Sequence, residues 1–204
     1  MQVTPELEKL ISNHEKLVKL VSDHVKSSPE KNKALLLCLD YNKEELVLAP
    51  ASTRREYHGA FPGGLVEHLL RVLKNLSLLN KTYETKLTHE EMVVTSFFHD
   101  IGKLGDDTNP YYIKKDSEWH NSHGIFYEVN PAFTAVKVSQ LSLYNLQQSG
   151  AKLSLNEYMA ISNFDRTERD PNLPAGLESN LSILLRQAIG FACHQGRNKD
   201  KVTL

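Results

Sequence analysis

The sequence predicts a single all-α domain. Apolar residues recur at helical spacing over most of the chain, and no stretch alternates as a half-buried strand would. Helix start signals precede most of these stretches. The length of 204 residues suits one hydrophobic core, and the hydrophobic fraction of 40% with 24% charged residues excludes disordered and collagen-like classes.

The first fifty residues read as short helices packed on this core. Each begins with a cap residue that is followed by proline at once or by glutamate three positions later. The signals are Thr4-Pro5, Ser28-Pro29, and Asn42 with Glu45. The first of these helices is expected to run to about Ser27.

Two further helices are predicted in the middle of the chain. A loop rich in glycine and proline ends at Gly64 and leads into an apolar helical pattern that carries His68. A capping box of Thr88 and Glu91 opens the next helix, which is expected to close around His99 and Asp100.

The segment from Gly105 to Phe133 shows no clean periodicity and holds six of the sixteen aromatic residues. So long an irregular segment is typical of a lid or binding loop. Helices follow at Val136–Gln148, after the capping box of Ser154 and Glu157, and at Leu181–Cys193. Residues 51–195 are therefore predicted to form the main body of the domain, and 196–204 a polar tail.

The charge balance limits the kinds of partner. With 24 Lys and Arg against 25 Asp and Glu, the formal charge is -1, so no overall field attracts nucleic acid or anionic lipid. A nucleic-acid partner is possible but not favoured, and no apolar run is long enough to span a membrane. Cys38 and Cys193 lie far apart, and no signal peptide is evident, which favours a cytoplasmic location.

Asp100 is anomalous, because helical spacing places it on the apolar face of Val93 and Phe97. A buried carboxylate needs a cation, several hydrogen-bond donors or a proton. Asp100 could therefore pair locally at the helix end beside an ordinary core histidine, or it could bind a metal together with His99. His68 also borders an apolar stripe, so two antiparallel helices could bring it to this pair.

Two strings around these residues resemble the HD-domain superfamily of metal-dependent phosphohydrolases. They are GGLVEHLLRV, which contains His68, and FFHDIGKLGD, which contains His99 and Asp100 thirty-one residues later. The longer string HGAFPGGLVEH is most similar to HD domains of exoribonucleases and phage-type proteins. The confident resemblance covers Tyr57 to Asp106 and implies a compact HD-type helical bundle.

The resemblance implies a metal site formed by His68, His99 and Asp100. Such ligands suit Mn, Fe, Co, Ni, Zn or Mg without selecting among them. The implied activity is phosphohydrolysis by a metal-activated water, with a small phosphorylated substrate, most simply a nucleotide. Lys103 is placed to meet the phosphate, although a lysine there could equally compensate a helix C-terminus.

The chain departs from the family pattern at its last helix. Relatives typically carry an aspartate after an alanine there, whereas this chain has Ile189 after Ala188. Asp165 is the first choice for a substitute ligand and His123 the second. A catalytically impaired HD-fold protein that binds a nucleotide or a protein partner is therefore the alternative function.

Further candidate residues surround this site. Arg54, Arg55 and His58 precede the His68 helix, and guanidinium groups suit phosphate oxygens, although both arginines could simply be solvated. Asp106 could position water or a leaving group in catalysis, or it could be a surface residue at a helix end.

Overall fold

The computed structural model describes residues 4–166 and 178–199, and it confirms the helical prediction. The helices of the described residues are α1 (Pro5–His24), α2 (Pro29–Tyr41), α3 (Lys43–Leu48), α4 (Gly64–Tyr83), α5 (His89–Phe98), α6 (Glu118–Ser122), α7 (Val138–Gln148), α8 (Leu155–Asn163) and α9 (Asn180–Lys199). Short 3₁₀ turns occupy Ile101–Leu104 and Pro131–Phe133.

Most helices begin where the cap signals predict. The side chains of Thr4 and Ser28 accept hydrogen bonds from the first turns of α1 and α2. The capping boxes that open α5 and α8 are both formed. Asn42 is the N-cap residue of α3, but the predicted capping box with Glu45 does not form: the Asn42 side chain donates to the Cys38 carbonyl of α2, at 2.8 Å, instead.

The aromatic segment contains a small sheet that the sequence analysis did not predict. Strand β1 (Tyr112–Lys114) pairs antiparallel with β2 (Tyr127–Val129), and α6 lies between them. The carbonyl of Thr53 accepts hydrogen bonds from the backbone N–H groups of Phe126 and Tyr127. This hairpin is thereby attached to the loop that precedes α4. Strands of three residues are too short to show a recognisable alternation.

One buried apolar cluster joins the first half of the chain. It contains Leu17 and Val21 of α1 together with Leu65 and Leu69 of α4 and Phe97 of α5, all of which are fully buried. The N-terminal helices therefore share their core with the helices that carry the predicted site.

A second cluster packs α9 against α4. Leu185, Ala188 and Ala192 of α9 contact Val72 and Leu76 of α4. Helix α9 runs six residues beyond its predicted end at Cys193, so the predicted polar tail overlaps it, and residues 200–204 lie outside the described part of the chain. Among the described helices, none has both the length and the apolar composition that crossing a membrane requires.

Candidate metal centre

Three side chains from two separate segments meet in the interior. His68 lies on α4, His99 caps the C-terminus of α5, and Asp100 follows it. Nε2 of His68 and Nε2 of His99 lie 3.6 and 3.7 Å from Oδ2 of Asp100. All three residues are at most 3% exposed, and one ligand atom from each lies within 4.8 Å of the others.

The end of α5 directs the His-Asp pair inward. His99 still has helical backbone angles, whereas Asp100 leaves the helix and opens the 3₁₀ turn Ile101–Leu104. The Ser142 hydroxyl of α7 donates to the His99 carbonyl at 2.6 Å and accepts from the Gly102 N–H at 2.8 Å. Gly102 also has to be small, since a Cβ there would lie 2.5 Å from the Val138 carbonyl oxygen. Helix α7 therefore holds in place the backbone turn that positions His99 and Asp100.

Both histidine rings are in the neutral form, which is the form that binds a metal. Nδ1 of His99 lies 3.0 Å from the Ser96 carbonyl, so Nδ1 carries the proton and Nε2 keeps its lone pair. Nε2 of His99 and Nδ1 of His68 are buried without a hydrogen-bond partner in the described structure. Burial lowers the pKa of both rings. The unpartnered Nε2 of His99, 3.7 Å from the buried carboxylate of Asp100, fits a bound cation.

Asp100 is held as a carboxylate. Burial raises its pKa, but attraction to the Lys103 ammonium and to the two histidines outweighs burial, and the pKa lies below its ordinary value. Nζ of Lys103 donates to Oδ2 of Asp100 at 2.6 Å and to the Ala51 carbonyl at 2.8 Å. Burial lowers the pKa of Lys103, whereas Asp100 raises it further, and the net shift is upward. The buried pair is thus ionic, and a metal would share Asp100 with Lys103.

The three residues predicted on the loop before α4 have different positions. The guanidinium of Arg54 lies 3.8 Å from Glu56 at the surface. The guanidinium of Arg55 lies over the Phe126 ring of the hairpin and donates to the Asn121 carbonyl at 3.3 Å. The ring of His58 packs on that of His68, with ring centroids 4.6 Å apart. His58 therefore lies beside the metal centre, while both arginine side chains contact the hairpin or neighbouring loop.

Asp106 and His123 have local roles in the described structure. Oδ1 of Asp106 accepts hydrogen bonds from the N–H groups of Thr108 and Asn109, which lower the pKa of Asp106 and shape the turn after the 3₁₀ segment. His123 is exposed and stacks on Trp119 with ring centroids 4.4 Å apart. Neither belongs to a cluster with metal-ligand geometry among the described residues.

Asp165 follows a residue that packs on His99. The preceding residue, Phe164, contacts the His99 ring edge to face at 4.8 Å. Oδ2 of Asp165 accepts from the Ser139 N–H at 3.1 Å, while Oδ1 is buried without a partner in the described structure. Asp165 is outside the 4.8 Å ligand group, and its role as a ligand stays a prediction. Ile189 packs against the apolar cluster between α4 and α9 and supplies no ligand atom.

Two residues near the centre were missed by the sequence analysis. The Tyr112 hydroxyl of β1 lies 3.4 Å from the Ala51 carbonyl that Lys103 also contacts, and burial raises the Tyr112 pKa to about 12. Sγ of Cys193 on α9 lies 3.5 Å from Nε2 of His58. Cys193 lies one helical turn after Ile189, which was the only available signal.

Comparison of the chain with models of known protein families, with curated proteins and with solved structures found no match.

Proposed function

We propose that this protein is an HD-type, metal-dependent phosphohydrolase acting on a nucleotide or a related small phosphoester. The observation that carries this proposal is the convergence of His68, His99 and Asp100, from two segments thirty-one residues apart, with Nε2 of His99 buried and unpartnered beside the carboxylate. Burying a carboxylate together with two neutral histidines costs free energy, and a bound cation would offset that cost. The motif strings support the same assignment.

The side chains of the site have separate roles in the proposed hydrolysis. Bound between His68, His99 and Asp100, a divalent ion would supply Lewis acidity and an activated water. Ser96 and Ser142 fix the orientation of His99 and of the following turn through the hydrogen bonds described above. Lys103 keeps a positive charge next to Asp100, where it can bind a phosphate oxygen and offset the charge that develops during P–O cleavage.

The surroundings of the centre favour a small substrate. The hairpin and the loop of residues 51–58 are hydrogen-bonded to each other, and together they contribute Tyr112 and His58 near the centre. Arg54 and Arg55 lie on this loop and can attract phosphate at its outer side. The net charge of -1 provides no general attraction for long nucleic acid.

Asp165 is the proposed fourth ligand. Its free Oδ1 is buried, it follows the residue that packs on His99, and a buried carboxylate oxygen without a partner is costly unless a cation or a proton satisfies it. A water molecule can complete the coordination.

The test measures metal content and phosphate release together. Protein stripped of metal and resupplied with Mn, Co or Ni is expected to retain at least one equivalent of ion and to release phosphate from members of a nucleotide panel. His99→Asn should lower both metal affinity and turnover by more than about 100-fold, since it removes a direct ligand.

His14→Asn is the matched control. His14 is 4% exposed, and its Nε2 is buried without a partner in the described structure, but it lies on α1 away from the centre. This variant should keep metal binding and turnover. Metal content below a tenth of an equivalent, together with no phosphate release across the panel, would refute the proposed function.

The apolar packing of Ile189 favours one alternative, a catalytically impaired HD-fold protein that binds a nucleotide or a protein partner. This alternative predicts that nucleotides raise the melting temperature without being hydrolysed. Turnover that Asp100→Ala abolishes would exclude it.

A further inference from the structure

The pocket beside the metal centre contains a second group of metal-ligating side chains. Sγ of Cys193, a ring nitrogen of His58 and one of His68 all lie within 4.8 Å of one another. They come from α9, from the loop before α4 and from α4 itself. We infer that this group binds a second, thiophilic cation of the zinc class next to the first site.

The spacing of the group fits tetrahedral coordination. Zinc bonds of about 2.0–2.1 Å to nitrogen and 2.3 Å to sulfur, at tetrahedral angles, separate the two ligand atoms by about 3.5 Å. Sγ of Cys193 and Nε2 of His58 are 3.5 Å apart before any ion is added. The pair therefore needs little movement to bind such an ion.

His68 provides the second, independent observation. It is 1% exposed, its Nε2 lies near Asp100, and its Nδ1 is buried without a partner in the described part of the chain. A neutral imidazole has one free lone pair, so His68 can bind a cation through each ring nitrogen only after its remaining N–H proton is lost.

The ligand types separate the two sites chemically. The first group offers two imidazoles and a carboxylate, which accept many divalent ions, whereas a thiolate favours Zn or Co over Mg and Mn. Binding at the second group forms metal–sulfur and metal–nitrogen bonds and releases the thiol proton of Cys193 to solvent, together with the ring N–H proton of His68 when both sites are filled. The site does not depend on the proposed hydrolytic activity.

Cobalt(II) is the probe, because a sulfur-to-cobalt charge-transfer band in the near ultraviolet appears only when a thiolate binds the ion. The stripped protein should bind two equivalents of cobalt and develop this band. Cys193→Ser should lose the band and one equivalent, and His58→Gln should weaken binding at this site by at least tenfold. Both are conservative changes, and a retained melting temperature would show that they fold.

Cys38→Ala is the matched control for the second cysteine. Cys38 is buried in the core, where burial raises its pKa to about 12, so this variant should keep the band. His99→Asn should keep the band while losing the other equivalent, which separates this site from the proposed active centre. A band without phosphate release would leave the second site intact and count against the hydrolase alone.

Three results would overturn the second site. They are a folded wild type without the band, a band that survives Cys193→Ser, and a stoichiometry of one cobalt that Cys193→Ser and His99→Asn reduce equally, since that would mean a single ion.

Discussion

Asp100 is the buried carboxylate that the other polar side chains of the site surround. Its Oδ2 faces Lys103 at 2.6 Å and the two histidine rings at 3.6 and 3.7 Å. A carboxylate surrounded only by apolar atoms would protonate, and the ammonium of Lys103 is what keeps it charged. The same ion pair offsets part of the cost of burying the Asp100 carboxylate.

The choice between Asp165 and the position of Ile189 can be tested at the residue scale. Asp165→Asn keeps an oxygen for the Ser139 N–H but removes the charge, so we expect metal affinity to fall by about tenfold or more. Ile189→Asp should not raise the affinity and should lower the free energy of unfolding by about 1–3 kcal/mol, because the residue packs on an apolar cluster. Isothermal titration with Mn measures the affinities.

The exposed residue Asp116 provides the control, and Asp116→Asn should change neither quantity. An increase of metal affinity in Ile189→Asp would mean that position 189 faces the proposed metal site, contrary to the packing described here.

At the scale of elements, a buried ion cluster ties the N-terminal helices to the rest of the molecule. Lys31 of α2 is 7% exposed and bonds to both carboxylate oxygens of Glu157 in α8, at 2.7 and 2.8 Å, and to Glu90 of α5 at 2.7 Å. Glu90 also accepts hydrogen bonds from the N–H groups of Lys26 and Ser27. Lys31 therefore connects the first turns of α2, α5 and α8. Through Glu90 it is also connected to the link between α1 and α2.

Lys31→Met should lower the free energy of unfolding by about 3–5 kcal/mol at pH 7, because it leaves two acidic groups without their cation, one of them fully buried. Although burial raises the pKa of Glu90, bonds from Lys31 and Ser27 bring it down to about 2 from an ordinary 4.5. A lowered carboxyl pKa stabilises the fold above pH 4.5 and ceases to do so as the pH falls towards 2. The gap between wild type and variant should therefore shrink between these values, which urea denaturation at several pH values measures.

Lys19→Met is the control for this cluster. Lys19 pairs with Asp23 within α1, with side chains 75% and 48% exposed, and such solvent-screened surface pairs contribute little to stability. Equal losses in the two lysine variants would contradict the importance of the buried cluster.

The start of α4 depends on a close contact between two glycines. A Cβ on Gly64 would lie 2.1 Å from the Gly59 carbonyl oxygen, and neither backbone can move without displacing the segment between His58 and His68. Gly64→Ala should lower the free energy of unfolding by more than about 2 kcal/mol and weaken metal binding. Thermal denaturation and metal titration measure the two effects.

Gly190→Ala in α9 should have the opposite effect on the free energy of unfolding. Nothing lies within 4 Å of a Cβ at Gly190, so alanine should raise the free energy of unfolding by about 0.5–1 kcal/mol through helix propensity. A neutral Gly64→Ala would show that the contact before α4 does not constrain the site.

At the scale of the whole molecule, the shared core makes the N-terminal helices part of the same folding unit as the site. Leu17, Val21 and Leu35 are fully buried in the cluster that also contains Leu65 and Phe97. Removing residues 1–50 would expose this cluster to water.

We expect a fragment of residues 51–204 to remain unfolded, because it loses much of the apolar contact that offsets chain entropy. The full chain should unfold in one transition, with equal calorimetric and van't Hoff enthalpies. Circular dichroism of the fragment and scanning calorimetry of the full chain check both points. A cooperative melt of the fragment would show that α1–α3 are an appendage.

Local chemistry explains which helices could be predicted. The caps at Thr4, Ser28, Thr88 and Ser154 act within four residues, so the sequence displays them directly. The capping box at Asn42 does not form because the Asn42 side chain donates to the Cys38 carbonyl in the preceding helix. Helices α2 and α3 follow each other so closely that this carbonyl is within reach. The hairpin was missed because its short strands are held by Thr53, some sixty residues from Tyr112 in the chain.

The sequence by itself determined the helical class and placed Asp100 on an apolar face, and through the motif strings it identified His68, His99 and Asp100 as a set. Periodicity and motifs are carried by neighbouring residues, which is why they can be read without a structure. Only the tertiary structure decided that Lys103 pairs with Asp100 at 2.6 Å beside the Ala51 carbonyl, that Lys31 joins three helices, and that Cys193 meets His58. These contacts join segments far apart in the chain, and their distances depend on how the helices pack.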